Sequence, residues 1–244
     1  MINFYIKINF NEDIKNNSMN IVILSGAGMS AESGINTFRD SNGLWEGHDV
    51  MEVASPEGWD ANQNLVLDFY NQRRKQLLEV NPNDAHKALA ELQKIHSVNI
   101  ITQNVDDLHE RAGSTNVLHL HGELLKVRST LIHSTVLEWK KDLIKGDLCK
   151  DGYQLRPHIV WFGEEVPEMD HAIKIVQKAE ILIIIGTSMQ VYPAASLLQF
   201  APPPIKVFFI DPKPSIDSTE RITVYAEKAT TGVAKAIEFI KNIK

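Results

Sequence analysis

The chain has 244 residues, 43% of them hydrophobic and 23% charged, which is an ordinary globular balance for one large domain with or without a small appendage. A net charge of −6 and no basic tract argue against a sequence-independent grip on nucleic acid. The single cysteine, Cys149, excludes an intrachain disulfide framework and a multi-cysteine zinc site.

Residues 1–18, rich in Asn and Ile, read as a weakly ordered tail. Ile21-Val22-Ile23-Leu24 then reads as a buried strand. Gly26 and Gly28 follow, with Ala31 where a third glycine would complete a dinucleotide fingerprint. Small residues there let backbone N–H groups approach a pyrophosphate, and a helix start would favour its charge. Residues 36–80 hold no good strand and at least one helix, near Leu65 to Leu78. A capped helix is predicted over Asn83 to Leu92. Further strands are predicted at 98–102, 116–120, 157–161, 181–185, 206–210 and 222–225, with helices at His171 to Lys178 and Thr231 to Ile243. Residues 124–155 read as polar and irregular. The alternation predicts an α/β fold: a doubly wound, Rossmann-type parallel sheet over 19–36, 81–123 and 156–244. The insertions 37–80 and 124–155 form a smaller helical or irregular lobe. The longest apolar run, Ile181 to Ile185, falls far short of the ~20 residues that span a bilayer. With no signal-peptide pattern and one thiol, a cytoplasmic location and no membrane partner are expected; the oligomeric state stays open, a monomer being favoured.

Ligands of such sheets sit beyond the strand C-terminal ends, and polar residues crowd there. They are Thr102-Gln103-Asn104 with Asp106, His119 and His121, Gly186-Thr187-Ser188, and Asp211. Each has a plain alternative: Asn104 or Asp106 as a helix cap, one histidine packed and one exposed, Arg39 and Asp40 as a surface pair.

Together the segments GAGMSAESGI, TFRD, GLW, TQNVDDLHERAG, HLHGEL, RPHIVWFGE and IGTSMQVYPA resemble the sirtuin family of NAD-dependent protein lysine deacylases, from about Asn20 to about Gly232. The resemblance implies NAD as co-substrate. It implies NAD contacts at Gly26, Ala27, Gly28, Ser33, Phe38, Arg39, Asp40, Trp45, Gln103, Asn104, Asp106, His121, Gly186, Thr187, Ser188, Asp211 and Ala229. Of these, His121 matches the family's general base, with Asn104 and Asp106 completing the catalytic set. Val160, Phe162, Gly163, Glu164, Val191 and Tyr192 resemble walls that hold a peptide as an added strand. The partners implied are acylated lysine side chains of proteins. The products implied are nicotinamide, free lysine and O-acyl-ADP-ribose. The residue types suit that chemistry: nicotinamide leaves as positive charge builds on the ribose. A neutral imidazole, titrating near ~6.5, then takes a proton from a ribose hydroxyl. Two other readings stay open, an ADP-ribosyltransferase and a non-catalytic NAD or ADP-ribose sensor.

Tyr70 and Arg73 lie three apart on the predicted helix and so share a face. They resemble the Tyr-x-x-Arg signature of class III members, which remove succinyl and malonyl as well as acetyl groups. The plain alternative is a solvated basic face, since Arg74 and Lys75 follow. The chain departs from the family in two places. Ser129 stands where a first zinc-binding cysteine is expected and only Cys149 remains, so no structural zinc is expected. Packing around Leu131, Leu137, Trp139 and Leu143 must then hold 124–155. Asp211 replaces a frequent Asn; it still accepts from ribose hydroxyls and disfavours a 2′-phosphate, which points to NAD over NADP. His86, His109, His133 and His158 read as packing or surface residues.

Overall fold

The computed structural model describes residues 18–36, 44–131, 135–189 and 192–243. In chain order its strands are β1 (Asn20–Ser25), β2 (Leu44–Trp45), β3 (His48–Asp49), β4 (Ser97–Thr102), β5 (Val117–His119), β6 (Gly122–Ser129), β7 (Val136–Glu138), β8 (Leu155–Ile159), β9 (Ile181–Ile185), β10 (Lys206–Ile210) and β11 (Ile222–Tyr225). Six of them form a parallel sheet in the order β11-β10-β9-β1-β4-β5.

Strands that are apolar at every position are what a sheet covered on both faces requires. Side chains alternate across it. Ile21, Ile23, Ile181, Ile183, Phe208 and Ile210 pack on one face against the helices Asp84–Leu92 and Ala229–Lys241. Val22, Leu24, Leu182, Ile184, Val207 and Phe209 pack on the other against Met169–Val176 and the 3-10 segment Ala194–Phe200. Asn83 caps the helix Asp84–Leu92, its side-chain oxygen accepting from the Ala85 and His86 N–H groups. The expected helices at 65–78, 83–92, 171–178 and 231–243 are present, each within two residues at its ends.

The chain leaves β1 for β4 and β5 on one side, then returns to β9, β10 and β11 on the other. The switch point therefore lies between β1 and β9. There the Gly26 N–H donates to Ile185 O and the Gly28 N–H to Gly186 O, both at 2.9 Å. A Cβ on Gly28 would lie 2.6 Å from Gly186 Cα, and one on Gly186, at φ +60, would lie 2.4 Å from Gly28 C. The glycines thus let two backbones touch. Their N–H groups are committed to the neighbouring turn, contrary to the expectation that they face a pyrophosphate. The expected helix start is also replaced, by two one-turn 3-10 segments, Ala27–Met29 and Ala31–Ser33. The second is tied to the last helix: Glu32 accepts from both N–H and Oγ1 of Thr230, at 3.0 and 2.9 Å.

The smaller lobe holds the helices Val50–Val53, Pro56–Ala61 and Gln63–Glu79 and the antiparallel sheet β7-β6-β8. Two expectations are corrected here. Residues 124–155 are not simply irregular, because β6 runs through them and buries Leu124, Leu125 and Val127. The strand expected at 157–161 in the parallel sheet is β8, which pairs with β6 instead. A single sequence does not separate these cases, since a run of Arg, Pro and His between apolar residues carries no sign of its partner. The lobe packs Leu143, Cys149, Leu155, Ile159 and Trp161 against Val66, Leu67, Tyr70 and Leu77. Trp139 joins that core and Leu143 is buried, but Leu131 and Leu137 are 59% and 42% exposed and do not hold it. Arg74, part of the solvated basic face that was the alternative reading of this helix, is buried; its Nε donates to Leu124 O and its Nη1 to Asn71 Oδ1. Burial lowers its pKa to about 10. The expected tail falls almost wholly on residues 1–17, outside the described residues.

Gly186→Ala should lower stability by more than ~3 kcal/mol, because a side chain there meets backbone at a left-handed φ. Gly152→Ala, at φ +84 with open space around it, should cost only ~1 kcal/mol. Urea unfolding midpoints measure both; equal losses would show that conformation, and not contact, fixes Gly186.

Candidate active site at the switch point

Three strand ends converge beside the glycine contact. The loop after β4 carries Gln103, Asn104 and Asp106, the turn after β9 carries Gly186, Thr187 and Ser188, and His121 lies between β5 and β6. Ser30 ties the first loop to the glycine turn. Its Oγ donates to Asp106 Oδ2 at 2.9 Å and accepts from Asn104 Nδ2 at 3.1 Å. Asp106 is buried, which raises its pKa against the opposing hydrogen bonds from Ser30 and the Leu108 N–H. Gln103 Nε2 donates to Thr187 Oγ1 at 3.2 Å and so spans the cleft.

The two histidines grip the loop by its carbonyls. His121 Nδ1 lies 3.0 Å from Gln103 O and His119 Nδ1 lies 3.0 Å from Asn104 O. A carbonyl only accepts, so each Nδ1 carries the hydrogen. In neutral His121 this leaves the Nε2 lone pair bare, and burial lowers the pKa of the ring against the opposing Gln103 hydrogen bond. His119 differs. Burial works against its charge, but Glu110, 2.8 Å from Nε2, outweighs it and the pKa ends above the ordinary value. The two rings are thus shifted in opposite directions, His121 toward its neutral form and His119 toward its charged one.

Behind them a buried polar chain runs from His109 Nε2 to Ser25 Oγ (3.0 Å), to Thr102 Oγ1 (2.9 Å), which accepts from the Asn104 N–H (3.0 Å). The rings of His109 and His86 meet edge to face at 4.8 Å. Burial holds the pKa of His109 well down and takes that of His86 to about 4. Both were expected to be packing residues and are. Thr102 and His119 were noted only as polar residues at the strand ends and given no role, and Ser25 and Ser30 were not singled out. Ser30 lies inside the glycine motif and His119 beside His121, so spacing alone could have flagged both.

Ser33 Oγ is buried with no hydrogen-bond partner among the described residues, and a ligand hydroxyl or phosphate would satisfy it. Asp211 is buried and accepts from the Lys213 N–H at 2.8 Å. Ala229 opens the last helix. A dinucleotide laid across β9 and β10 would meet Gly186, Thr187, Ser188 and Asp211 at one end and His121 at the other. The backbone contact, the orphan hydroxyl and the bare imidazole nitrogen fit it. Phe38, Arg39, Asp40, His133 and Val191 lie outside the described residues.

The expected peptide wall follows β8. Val160 N–H donates to His121 O and Phe162 N–H to Ala54 O, both at 2.9 Å. Phe162 and Gly163 are exposed and Tyr192 is 71% exposed. Glu164 serves the wall from within: its carboxylate binds Arg156 (2.6 Å), Arg128 (3.0 Å) and the Trp161 N–H (2.8 Å). Against burial, these partners keep its pKa low. Trp161 stacks under Arg156, 3.2 Å from the ring centroid, and its Nε1 donates to Tyr70 Oη at 3.0 Å. Tyr70 is wholly buried, which pushes its pKa up and keeps the phenol protonated. Trp45 meets the rings of Phe69 and Tyr70 edge-on, and the Arg73 guanidinium lies 5.3 Å from the Phe69 centroid. Cys149 Sγ is 3.7 Å from Ser129 Oγ. Among the described residues no three His, Cys, Asp or Glu side chains group as metal ligands.

A model of the Sir2 family matches residues 26–193. A Helicobacter pylori (strain ATCC 700392 / 26695) protein named NAD-dependent protein deacylase is 68% identical over 194 residues, 80% of this chain and 85% of the relative. A Bacteroides thetaiotaomicron protein of the same name is 54% identical over 221 residues, 88% and 94% of the two chains. Among solved structures, a Sir2 homolog in complex with NAD superposes with a TM-score of 0.79 at 36% identity, covering 95% of this chain and 93% of that one. A Sir2 bound to acetylated peptide gives 0.74 at 27%, covering 96% and 98%.

His86 gives the stability a signed pH dependence. Burial depresses its folded-state pKa below the ordinary 6.5, to about 4. Its contribution is therefore whole above pH 6.5 and is lost as pH falls toward 4, by up to ~3 kcal/mol. Urea unfolding across that window should show a shallower slope for His86→Leu than for the wild type; parallel slopes would show that His86 does not titrate in unfolding.

Proposed function

The chain belongs to the Sir2 family, and from that premise we propose that it removes succinyl and malonyl as well as acetyl groups from protein lysines, releasing nicotinamide and O-acyl-ADP-ribose. It is an NAD-dependent protein deacylase. The observation that carries the catalytic reading is the His121 ring, fixed by Gln103 O at 3.0 Å so that Nε2 is the free, unprotonated nitrogen.

When bound, NAD supplies a ribose carbon with a good leaving group and the hydroxyls beside it. Asn104, held by Ser30, orients a hydroxyl or water at that carbon. Asp106, through Ser30, keeps the Asn104 amide in place. His121 Nε2 takes the proton from a ribose hydroxyl, and its lowered pKa keeps it neutral for this at pH 7. Gly26, Ala27, Gly28, Ser33 and Trp45 are further NAD contacts that the resemblance implies, as are Phe38, Arg39 and Asp40, which lie outside the described residues. Gly186, Thr187, Ser188, Asp211 and Ala229 line the adenosine side. Val160, Phe162, Gly163 and Tyr192 hold the peptide with Val191, while Glu164 shapes that wall through its arginines.

The acyl reading rests on Arg73 and Tyr70. The Arg73 guanidinium, 5.3 Å from the Phe69 ring centroid and with a buried Nε that has no hydrogen-bond partner among the described residues, offers donors to a terminal carboxylate, while Tyr70, wholly buried and accepting from Trp161 Nε1, stands behind it on the same helix. A structural zinc has no part in this reading: Ser129 stands where a cysteine is expected, and Cys149, the single thiol, is buried and donates to Ser129 Oγ.

Acetyl, malonyl and succinyl peptides with NAD test both readings. His121→Ala should lose ~10² or more of kcat on all three, and the acid limb of wild-type kcat/KM should fall below pH 6.5. Arg73→Met should lose desuccinylation far more than deacetylation. Protein-attached ADP-ribose in place of O-acyl-ADP-ribose would make the enzyme a transferase, and equal losses on all acyl groups would remove Arg73 from acyl recognition.

A further inference from the structure

Glu46 and Gly47 form the two-residue turn between β2 and β3, with φ +52 and +85. Such turns favour Asn, Asp or Gly, and a glutamate at positive φ is strained. The glutamate is aimed at the acyl site. Its Oε2 stands 4.0 Å from Arg73 Nη1, the two side chains being 18% and 17% exposed. Asn36 Nδ2 donates to the same oxygen at 3.4 Å. The buried Arg73 Nε has no hydrogen-bond partner among the described residues. At 4.0 Å the carboxylate is too far for a hydrogen bond yet near enough to act on the charge. Arg73 is thus neutralised without being saturated.

We propose that Glu46 is a specificity-determining residue, the resident counter-ion with which the terminal carboxylate of an incoming acyl chain must compete for Arg73. The inference rests on the reading of Arg73 as the acyl-carboxylate site. With a neutral acyl group in place, Glu46 offsets a half-dry arginine. With a charged one, the two carboxylates repel and the acyl chain must take over the donors that Glu46 leaves unused. Glu46 therefore holds the enzyme between the two substrate classes, weakening charged acyl groups without touching the reacting atoms.

The test uses the full chain with NAD and acetyl-, malonyl- and succinyl-lysine peptides of one sequence, comparing wild type, Glu46→Gln, Glu46→Asn and Arg73→Met. Asn suits the turn, and thermal unfolding checks the fold of each. Both Glu46 variants should lower KM for the malonyl and succinyl peptides roughly three- to tenfold. Their kcat, and kcat/KM for the acetyl peptide, should stay within about twofold. Unchanged or raised KM for the charged peptides overturns the role of Glu46, and if Arg73→Met still loses desuccinylation selectively the Arg73 reading survives. Equal changes on all three peptides in both Glu46 variants overturn it as a general hairpin effect. Equal losses in Arg73→Met remove the parent reading and this inference with it.

Discussion

The contact of backbone on backbone between Gly28 and Gly186 is the constraint on which the rest depends. Two strands adjacent in the sheet but far apart in sequence end in turns that touch through Gly28 N–H and Gly186 O. That contact fixes where Ser30 stands. From there Ser30 reaches Asn104 and Asp106 on the third strand end. The loop after β4 is then held by Ser30 and Thr187 on one side and by two histidines on the other. A site made of loops gains rigidity when each loop is bonded to two neighbours, and preorganisation of that kind is what catalysis draws on.

The smaller lobe solves a different problem. It places charges inside apolar surroundings, where an unpaired ion is costly. Arg128 and Arg156 share Glu164, which also binds the Trp161 N–H. Arg74 donates to the Leu124 carbonyl and Asn71, and burial lowers its pKa against the opposing charge of Asp142. These groups surround β6 and β8. Cys149 and Ser129 there pack as small side chains of an apolar core.

The parallel sheet was legible because Ile21 to Leu24, Ile181 to Ile185 and Val207 to Ile210 are apolar throughout, a pattern with one structural use. The family was legible because the residues around Gly26, Asn104 and His121 form dense, ordered motifs. What was not legible depended on pairing. β6 and β8 carry Lys, Arg, Pro and His among apolar residues, and only their mutual pairing makes strands of them. Arg74 looked solvated because the sequence does not show that the face it shares with Asn71 turns toward β6. The commitment of Gly26 and Gly28 to a neighbouring turn was hidden for the same reason: the partner lies more than 150 residues away in the chain.

The bond from Trp161 to Tyr70 joins the wall that would grip a peptide to the helix that would grip its acyl chain. If those roles hold, sequence context and modification chemistry would be judged by one mechanical unit. Variants that broaden one preference would shift the other with them, so catalogues of favoured sites drawn up with a single acyl group would not carry over to another.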